Sequence, residues 1–165
     1  MGERVRINDV MSAYEKNADL LFRISLGILG NEHDAQDAVQ ETFIRYMRHV
    51  LKFSSFEHEK AWLIRVTENI CLDMLRHKKI RNYTPIEEIH SLEDAAETNN
   101  ETDVFEKLSK LPSKFKTVII LHHLEGYSVE ETSKILGISL SATKMRLKRG
   151  REALRNSLEK EDYDV

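Results

Sequence analysis

Residues 128–155 read SVEETSKILGISLSATKMRLKRGREALR, two helix starts around one helix stop. Ser128 followed by Glu131 is a capping box: the serine oxygen satisfies orphan backbone N–H groups and the glutamate reaches back to the cap. The helix it starts, VEETSKIL, ends at Gly137, where glycine takes a left-handed turn without a Cβ penalty. Ile138 tucks into the angle, and Ser139 caps the next helix. Few folds accept two helices joined by so short a Gly-containing turn. The pattern predicts a helix-turn-helix, whose second helix lies in the DNA major groove.

Projected on a helix, residues 140–155 divide into two sides. Thr143, Leu147, Gly150 and Leu154 make a narrow stripe that packs on the first helix, and Arg146 and Arg149 flank it. Ser141, Lys144, Lys148, Arg151 and Arg155 take the opposite side, and from Leu136 to Arg155 six basic side chains stand against one acid. Small polar residues near the helix start suit base edges, and the charges further along suit phosphates. A membrane-surface helix is disfavoured, because its apolar side lacks the Trp and Phe such helices bury. A solvated basic face is the bland alternative; the capping box, the glycine turn and the one-sided charge together favour DNA.

The rest of the chain is helical in pattern. Six Gly and two Pro in 165 residues leave long uninterrupted stretches, and no segment shows strand periodicity or an internal repeat. The expected fold is all-α. Its apolar residues never form the run of roughly 18–20 needed to span a bilayer, and MGERVRINDV lacks the apolar centre of a signal peptide, so a cytosolic location is expected. A single cysteine, Cys71, excludes an internal disulfide and a cysteine-rich zinc site. Charge divides the chain more tellingly than its net −3. Residues 1–81 hold 13 Lys/Arg and 12 Asp/Glu, residues 82–102 hold 6 Asp/Glu and no Lys/Arg, and residues 103–165 hold 12 and 10. The acidic strip NYTPIEEIHSLEDAAETNNET is short of large apolar residues and reads as a linker between two units.

In the first unit, residues 10–29 carry Met11, Tyr14, Leu20, Leu21, Ile24 and Ile28 at near-helical spacing, and LGNEH (29–33) breaks the pattern. Residues 34–50 place Ala35, Ala38, Val39, Thr42, Phe43, Tyr46, Met47 and Val50 inward, with Asp37, Gln40, Glu41 and Arg48 outward. Ile44 stands in the middle of that polar face, as an apolar centre with a polar rim. A third helix runs from about Lys60 to Ile80. Trp62, Leu63, Val66, Ile70 and Met74 face inward, and Arg65, Asn69, Arg76 and Lys79 share the other side. Phe53 and Phe56 lie just upstream in a polar loop, where aromatics beside a basic helix suit unstacked bases. The bland alternative is that both rings staple the loop to the core. The second unit continues with helices over 103–111, 113–125 after Pro112, 129–136 and 140 to about 158.

DAQDAVQETFIRYMRH, AWLIRVTENICLDMLRHKK and LPSKFKTVIILHHLEGYSVEETSKILGISLSATKMRLKRGREALR, in that order and spacing, resemble a bacterial sigma factor of the extracytoplasmic-function subgroup. The resemblance covers nearly the whole chain. It implies a transcription initiation factor that binds core RNA polymerase, directs it to promoter DNA and helps melt the duplex. Residues 1–81 then correspond to domain 2, 82–102 to the linker and 103–165 to domain 4. Asp37, Gln40, Glu41 and Ile44 stand where the family meets the polymerase clamp. Phe53–His58 resembles the loop that captures a flipped −10 base, and Arg65, Asn69, Arg76 and Lys79 match the surface along which that strand runs. Ser139, Ser141, Ala142, Lys144 and Arg146 match readers of the −35 element, with Lys148, Arg149 and Arg151 beside the DNA backbone. The linker resembles the segment threaded into the polymerase RNA path. The resemblance also implies an anti-sigma factor as partner, commonly membrane-anchored, and a closed geometry with both domains held together when inhibited.

Five positions depart from the family pattern. His122-His123 replaces a common Arg-Tyr pair, and Gln36 and Glu68 stand where another acid and an arginine are frequent. Gly150 replaces a common alanine, which predicts a helix weaker by roughly 0.5–1 kcal/mol. The histidines show no metal-ligand spacing, and no nucleophile has an evident base. No cofactor, small-molecule substrate or enzymatic activity is expected. Cys71 reads as a buried small hydrophobe. Two other classes compete: a dimeric helix-turn-helix regulator that binds duplex DNA alone, and an RNA-binding accessory protein.

Overall fold

A computed structural model describes residues 7–49, 52–82 and 100–163. The expected linker thus falls, over residues 83–99, outside the described residues, as does Val50. The first block is α1 (Ile7–Leu29), α2 (Glu32–Arg48) and α3 (Phe56–Asn82). The second is α4 (Asn100–Ser109), α5 (Ser113–Ile119), α6 (Val129–Leu136) and α7 (Leu140–Tyr163). All of these elements are helical, and α5 runs directly into a single π-helical turn, Ile120–Leu124. No helix among the described residues is long and apolar enough to cross a membrane.

Local caps set most of the boundaries. Asn31 Oδ1 accepts from the Asp34 N–H at 2.8 Å and starts α2. The third helix begins at Phe56, four residues before the expected Lys60, because Ser55 Oγ accepts from the His58 N–H at 3.1 Å. In the second block Ser128 Oγ accepts from the Glu131 N–H at 3.0 Å, and Ser139 Oγ from the Ala142 N–H at 3.1 Å. Only the serine half of the capping box is made. Gly137 takes φ +65°, which closes α6 and turns the chain into α7 as its sequence demands.

Leu21, Ile24 and Ile28 of α1 pack fully buried against Leu63 and Ile64 of α3, and α2 adds Ala38, Val39 and Phe43. Each such aliphatic side chain contributes about 1.5–3 kcal/mol by leaving water. Met11, Tyr14 and Met47 depart from the inward pattern expected of them: all three are about half exposed. The buried arcs of α1 and α2 are narrower than their apolar arcs, and Tyr14 lies over the Phe43 ring (centroids 5.0 Å apart) at the rim. On α7, Thr143, Leu147 and Gly150 are buried as the stripe requires. Gly150 is more than a weak point in the helix, because α5 lies against it. A Cβ there would stand 2.5 Å from Ile119 Cδ1 and 3.2 Å from Phe115 Cβ. An alanine would gain helix propensity and force Ile119 aside.

The two blocks pack on one another and share one continuous core, with Ile120 and Leu121 meeting α1. Ile120 occupies the space a side chain at Gly27 would need. Polar groups line the same seam. Lys116, 3% exposed, donates from Nζ to the Ile28 carbonyl at 2.8 Å, at the negative end of the α1 dipole. Thr117 Oγ1 donates to Glu68 Oε1 at 3.0 Å, and Arg23 pairs with Glu125.

Candidate nucleic-acid interface

The basic face of α7 is open. Ser141, Lys144, Lys148, Arg149 and Arg151 are all exposed, and Ala142 is half-buried beside them. Ser139 is exposed too, though its hydroxyl is engaged in capping α7. Arg146 differs from its neighbours. It is half-buried and close enough to Glu68 of α3 to lower that carboxyl's pKa, so in this arrangement it faces the first block. Burial acts more strongly on Glu68 and holds its carboxyl above the usual carboxylate range, against the Thr117 hydrogen bond and Arg146.

On α3, Arg65, Asn69, Arg76 and Lys79 are exposed along one side of the helix. The Arg65 guanidinium reaches the Gly137 turn of the helix-turn-helix. Part of the basic run RHKKIR is committed elsewhere. Lys78 pairs with Asp34 at the start of α2, and Arg76 lies 3.4 Å from Asp73. Burial alone would raise the Asp34 carboxyl, but hydrogen bonds from Lys78 and Asn31 carry it below the usual range. Asp34 and Lys78 are far apart in sequence, and no local signal announces the pair.

The two phenylalanines of the loop part company. Phe53 stacks on Tyr46 (6.0 Å, 11° between planes) and meets His58 and Trp62, so it fastens the loop to the core. The Tyr46 hydroxyl in turn donates to Glu59. Phe56 is 70% exposed, with Lys16 Nζ of α1 4.2 Å from its ring centre. The stapling alternative therefore describes Phe53 and not Phe56. His58 is exposed, its Nδ1 lying 3.2 Å from Ser54 Oγ.

Asp37, Gln40, Glu41 and Ile44 share one outward strip of α2, with Glu41 paired to Arg45 at 3.1 Å and Ile44 half-buried. Met47 extends the strip by one turn and doubles its apolar centre. The inward pattern assigned to Met47 had hidden it. The Cys71 thiol, fully buried, is pushed up to about 12 by burial, which leaves it an unreactive thiol. His122 accepts or donates through Nδ1 at the Tyr127 carbonyl (2.7 Å). Its ring meets that of His123 at 4.9 Å, since both lie in the π-helical turn.

Two regions of one family match this chain in order: Sigma-70 region 2 over residues 13–80 and Sigma-70 region 4 over residues 103–154. The ECF RNA polymerase sigma factor SigE of Mycolicibacterium smegmatis is 34% identical over 91% of this chain, which spans 62% of that protein's length. The ECF sigma factor SigW of Bacillus subtilis is 31% identical, covering 95% of this chain and 91% of its own. Among solved structures, the sigma factor RpoE in complex with the anti-sigma factor NepR from Bartonella quintana superposes with a TM-score of 0.69. It shares 21% identity and covers 93% of this chain and 98% of its own. CnrH in complex with the cytosolic domain of CnrY gives a TM-score of 0.68 at 23% identity, over 93% of this chain and 90% of its own. At those identities the likeness is one of fold. Together with the matches to regions 2 and 4, the SigE and SigW identities place the chain in the sigma-70 family, in its extracytoplasmic-function group, as a transcription initiation factor.

Proposed function

We propose that the chain directs core RNA polymerase to promoters through two separate readers, with the division of labour at residues 1–81, 82–102 and 103–165. In the first block, Asp37, Gln40, Glu41 and Ile44 dock the polymerase, with Met47 extending the contact. Phe56, Arg65, Asn69, Arg76 and Lys79 engage the unpaired −10 strand, and Phe53 positions the loop that carries Phe56. In the second block, Ser141, Ala142 and Lys144 meet base edges of the −35 element. Arg146 joins these base readers once it leaves Glu68, and Lys148, Arg149 and Arg151 meet phosphates. The acidic linker occupies a nucleic-acid channel of the polymerase. The chain acts in the cytoplasm beside the polymerase, which supplies the chemistry.

One observation carries this reading: a capped helix-turn-helix with an exposed, one-sided basic helix follows a block whose exposed Phe56 and basic α3 offer a second, single-strand surface. A stand-alone dimeric regulator has no use for the second surface and is not favoured. That RpoE and CnrH were solved with anti-sigma factor and partner domain supports an anti-sigma factor as a further partner here. The test is in vitro transcription from a genomic promoter library with core polymerase, with and without the chain. New starts sharing −10 and −35 sequences support it; no new starts, with the chain shifting duplex DNA alone, refute it. Ile44→Glu is expected to abolish co-purification with core polymerase and to leave −35 duplex binding intact.

A further inference from the structure

Arg23, on α1, makes a two-bonded ion pair across the seam, from Nε to Glu125 Oε1 at 2.5 Å and from Nη2 to Oε2 at 2.9 Å. The carboxylate is nearly dry, with 13% of the Glu125 side chain exposed. Two residues on, the Tyr127 ring centre lies 6.0 Å from Lys60 Nζ on α3. The turn that presents both groups is held by the Glu125 N–H donating to the Ile120 carbonyl and the Tyr127 N–H to the Leu121 carbonyl, each at 3.0 Å, as the π-helical turn ends. One helical turn before Lys60 stands exposed Phe56 under Lys16. Lys16 and Arg23 are seven residues apart, about two turns, and so share a face of α1. Asp19 lies between them and adds negative charge at Arg23.

An exposed ring and three cations on the facing parts of α1 and α3 have the makings of a single-strand track, the ring for a base and the cations for phosphates. The arginine fork takes a phosphate in the same two-bonded manner as a carboxylate. Glu125 and Tyr127 bring to these cations an anion and an aromatic ring, the two chemistries a nucleotide would bring. We infer that Arg23, Lys60 and Lys16, headed by Phe56, form a further binding track for the unpaired promoter strand, and that the Glu125–Tyr127 turn occupies it in the closed chain as an internal stand-in. The inference rests on the reading of α3 and its loop as the strand-binding surface and extends that surface onto α1.

Arg23→Ala and Glu125→Gln weaken the same ion pair, so a mere latch responds alike to both, and a track does not. The full chain is titrated with a fluorescent single-stranded oligonucleotide carrying the −10 sequence, over a range of salt concentrations. Glu125→Gln is expected to bind several-fold tighter. Arg23→Ala is expected to bind no tighter than the parent, and the double variant to follow Arg23→Ala, with the salt slope flattened by about 0.7. Equal gains for the two single variants reduce Arg23 to a latch and overturn the inference. Asn69→Ala separates the two levels. If it weakens binding while both seam variants leave binding unchanged, the α3 surface stands and the track falls; if no variant has any effect, both fall.

Discussion

The basic face of α7 stands open to solvent along its length, whereas the polar face of α3 borders the seam with the second block. Among the described residues, no hydrogen bond or ion pair ties Lys144, Lys148, Arg149 or Arg151 to the first block. Arg65, by contrast, reaches the Gly137 turn, and Glu68 takes hydrogen bonds or charge from Thr117 and Arg146. A strand running along α3 competes with the helix-turn-helix for the same space. On the proposed assignment the two readers therefore answer differently to closure: the duplex reader is available in the closed chain, and the strand reader is fully available once the blocks part. The seam is suited to parting. Its buried Lys116 has a backbone carbonyl for a partner and no carboxylate among the described residues, and burying a charge so weakly compensated costs free energy that opening returns.

The sharpest way to break this contrast is to open the seam without touching either reader. Gly27→Leu forces a side chain into the space of Ile120; overpacking of this kind costs about 2 kcal/mol. We expect affinity for a single-stranded −10 oligonucleotide to rise by about thirtyfold and affinity for −35 duplex to stay within about twofold. Equal changes in both would abolish the distinction. A smaller effect sharpens the other side. Lys144→Ala should lose about tenfold discrimination at one −35 base pair, on the order of 1.4 kcal/mol. Arg149→Ala should weaken all duplexes evenly and flatten their salt dependence. Identical base preferences in the two variants, measured by competition with substituted duplexes, would erase the division between base and phosphate readers.

The smallest expected effect is a pH dependence. Glu68 has a raised pKa, chiefly through burial, so the closed seam is favoured by its protonated form. That contribution is fully present below the ordinary glutamate value and is lost as pH rises through the raised one. Glu68→Gln keeps an acceptor for Thr117 and stays neutral. It should close the chain further at neutral pH, by less than about 1 kcal/mol, and remove this part of the pH dependence. Hydrogen exchange at the Thr117–Ile120 amides, compared between parent and variant, reads the difference. A parent and variant with the same pH profile would show that Glu68 titrates without consequence.

Features that depend on a few neighbouring residues were readable in advance. Ser128, Gly137 and Ser139 define the helix-turn-helix because caps and left-handed turns are local chemistry. The Asp37–Ile44 strip followed from helical period alone. What escaped depends on contacts distant in sequence. Met11, Tyr14 and Met47 have the right period for burial but stay about half exposed among the described residues. The packing role of Gly150 needs Ile119 and Phe115, and the orientation of Arg146 needs Glu68 in the other block. Ser55 is a partial exception. The SSFEH stretch holds a usable cap, and the aromatic residue after it drew the helix start downstream.

The central proposal is that the closed seam crowds the strand surface where Arg65 meets the Gly137 turn, and that the blocks part when the chain engages core polymerase and promoter DNA. Spin labels on Glu32→Cys of the first block and Asn156→Cys of the second, both exposed, measure it by the distance between them; buried Cys71 takes up no label. The account predicts one short distance in the free chain and a longer one with core polymerase and promoter DNA. A distance unchanged between the two states would contradict it.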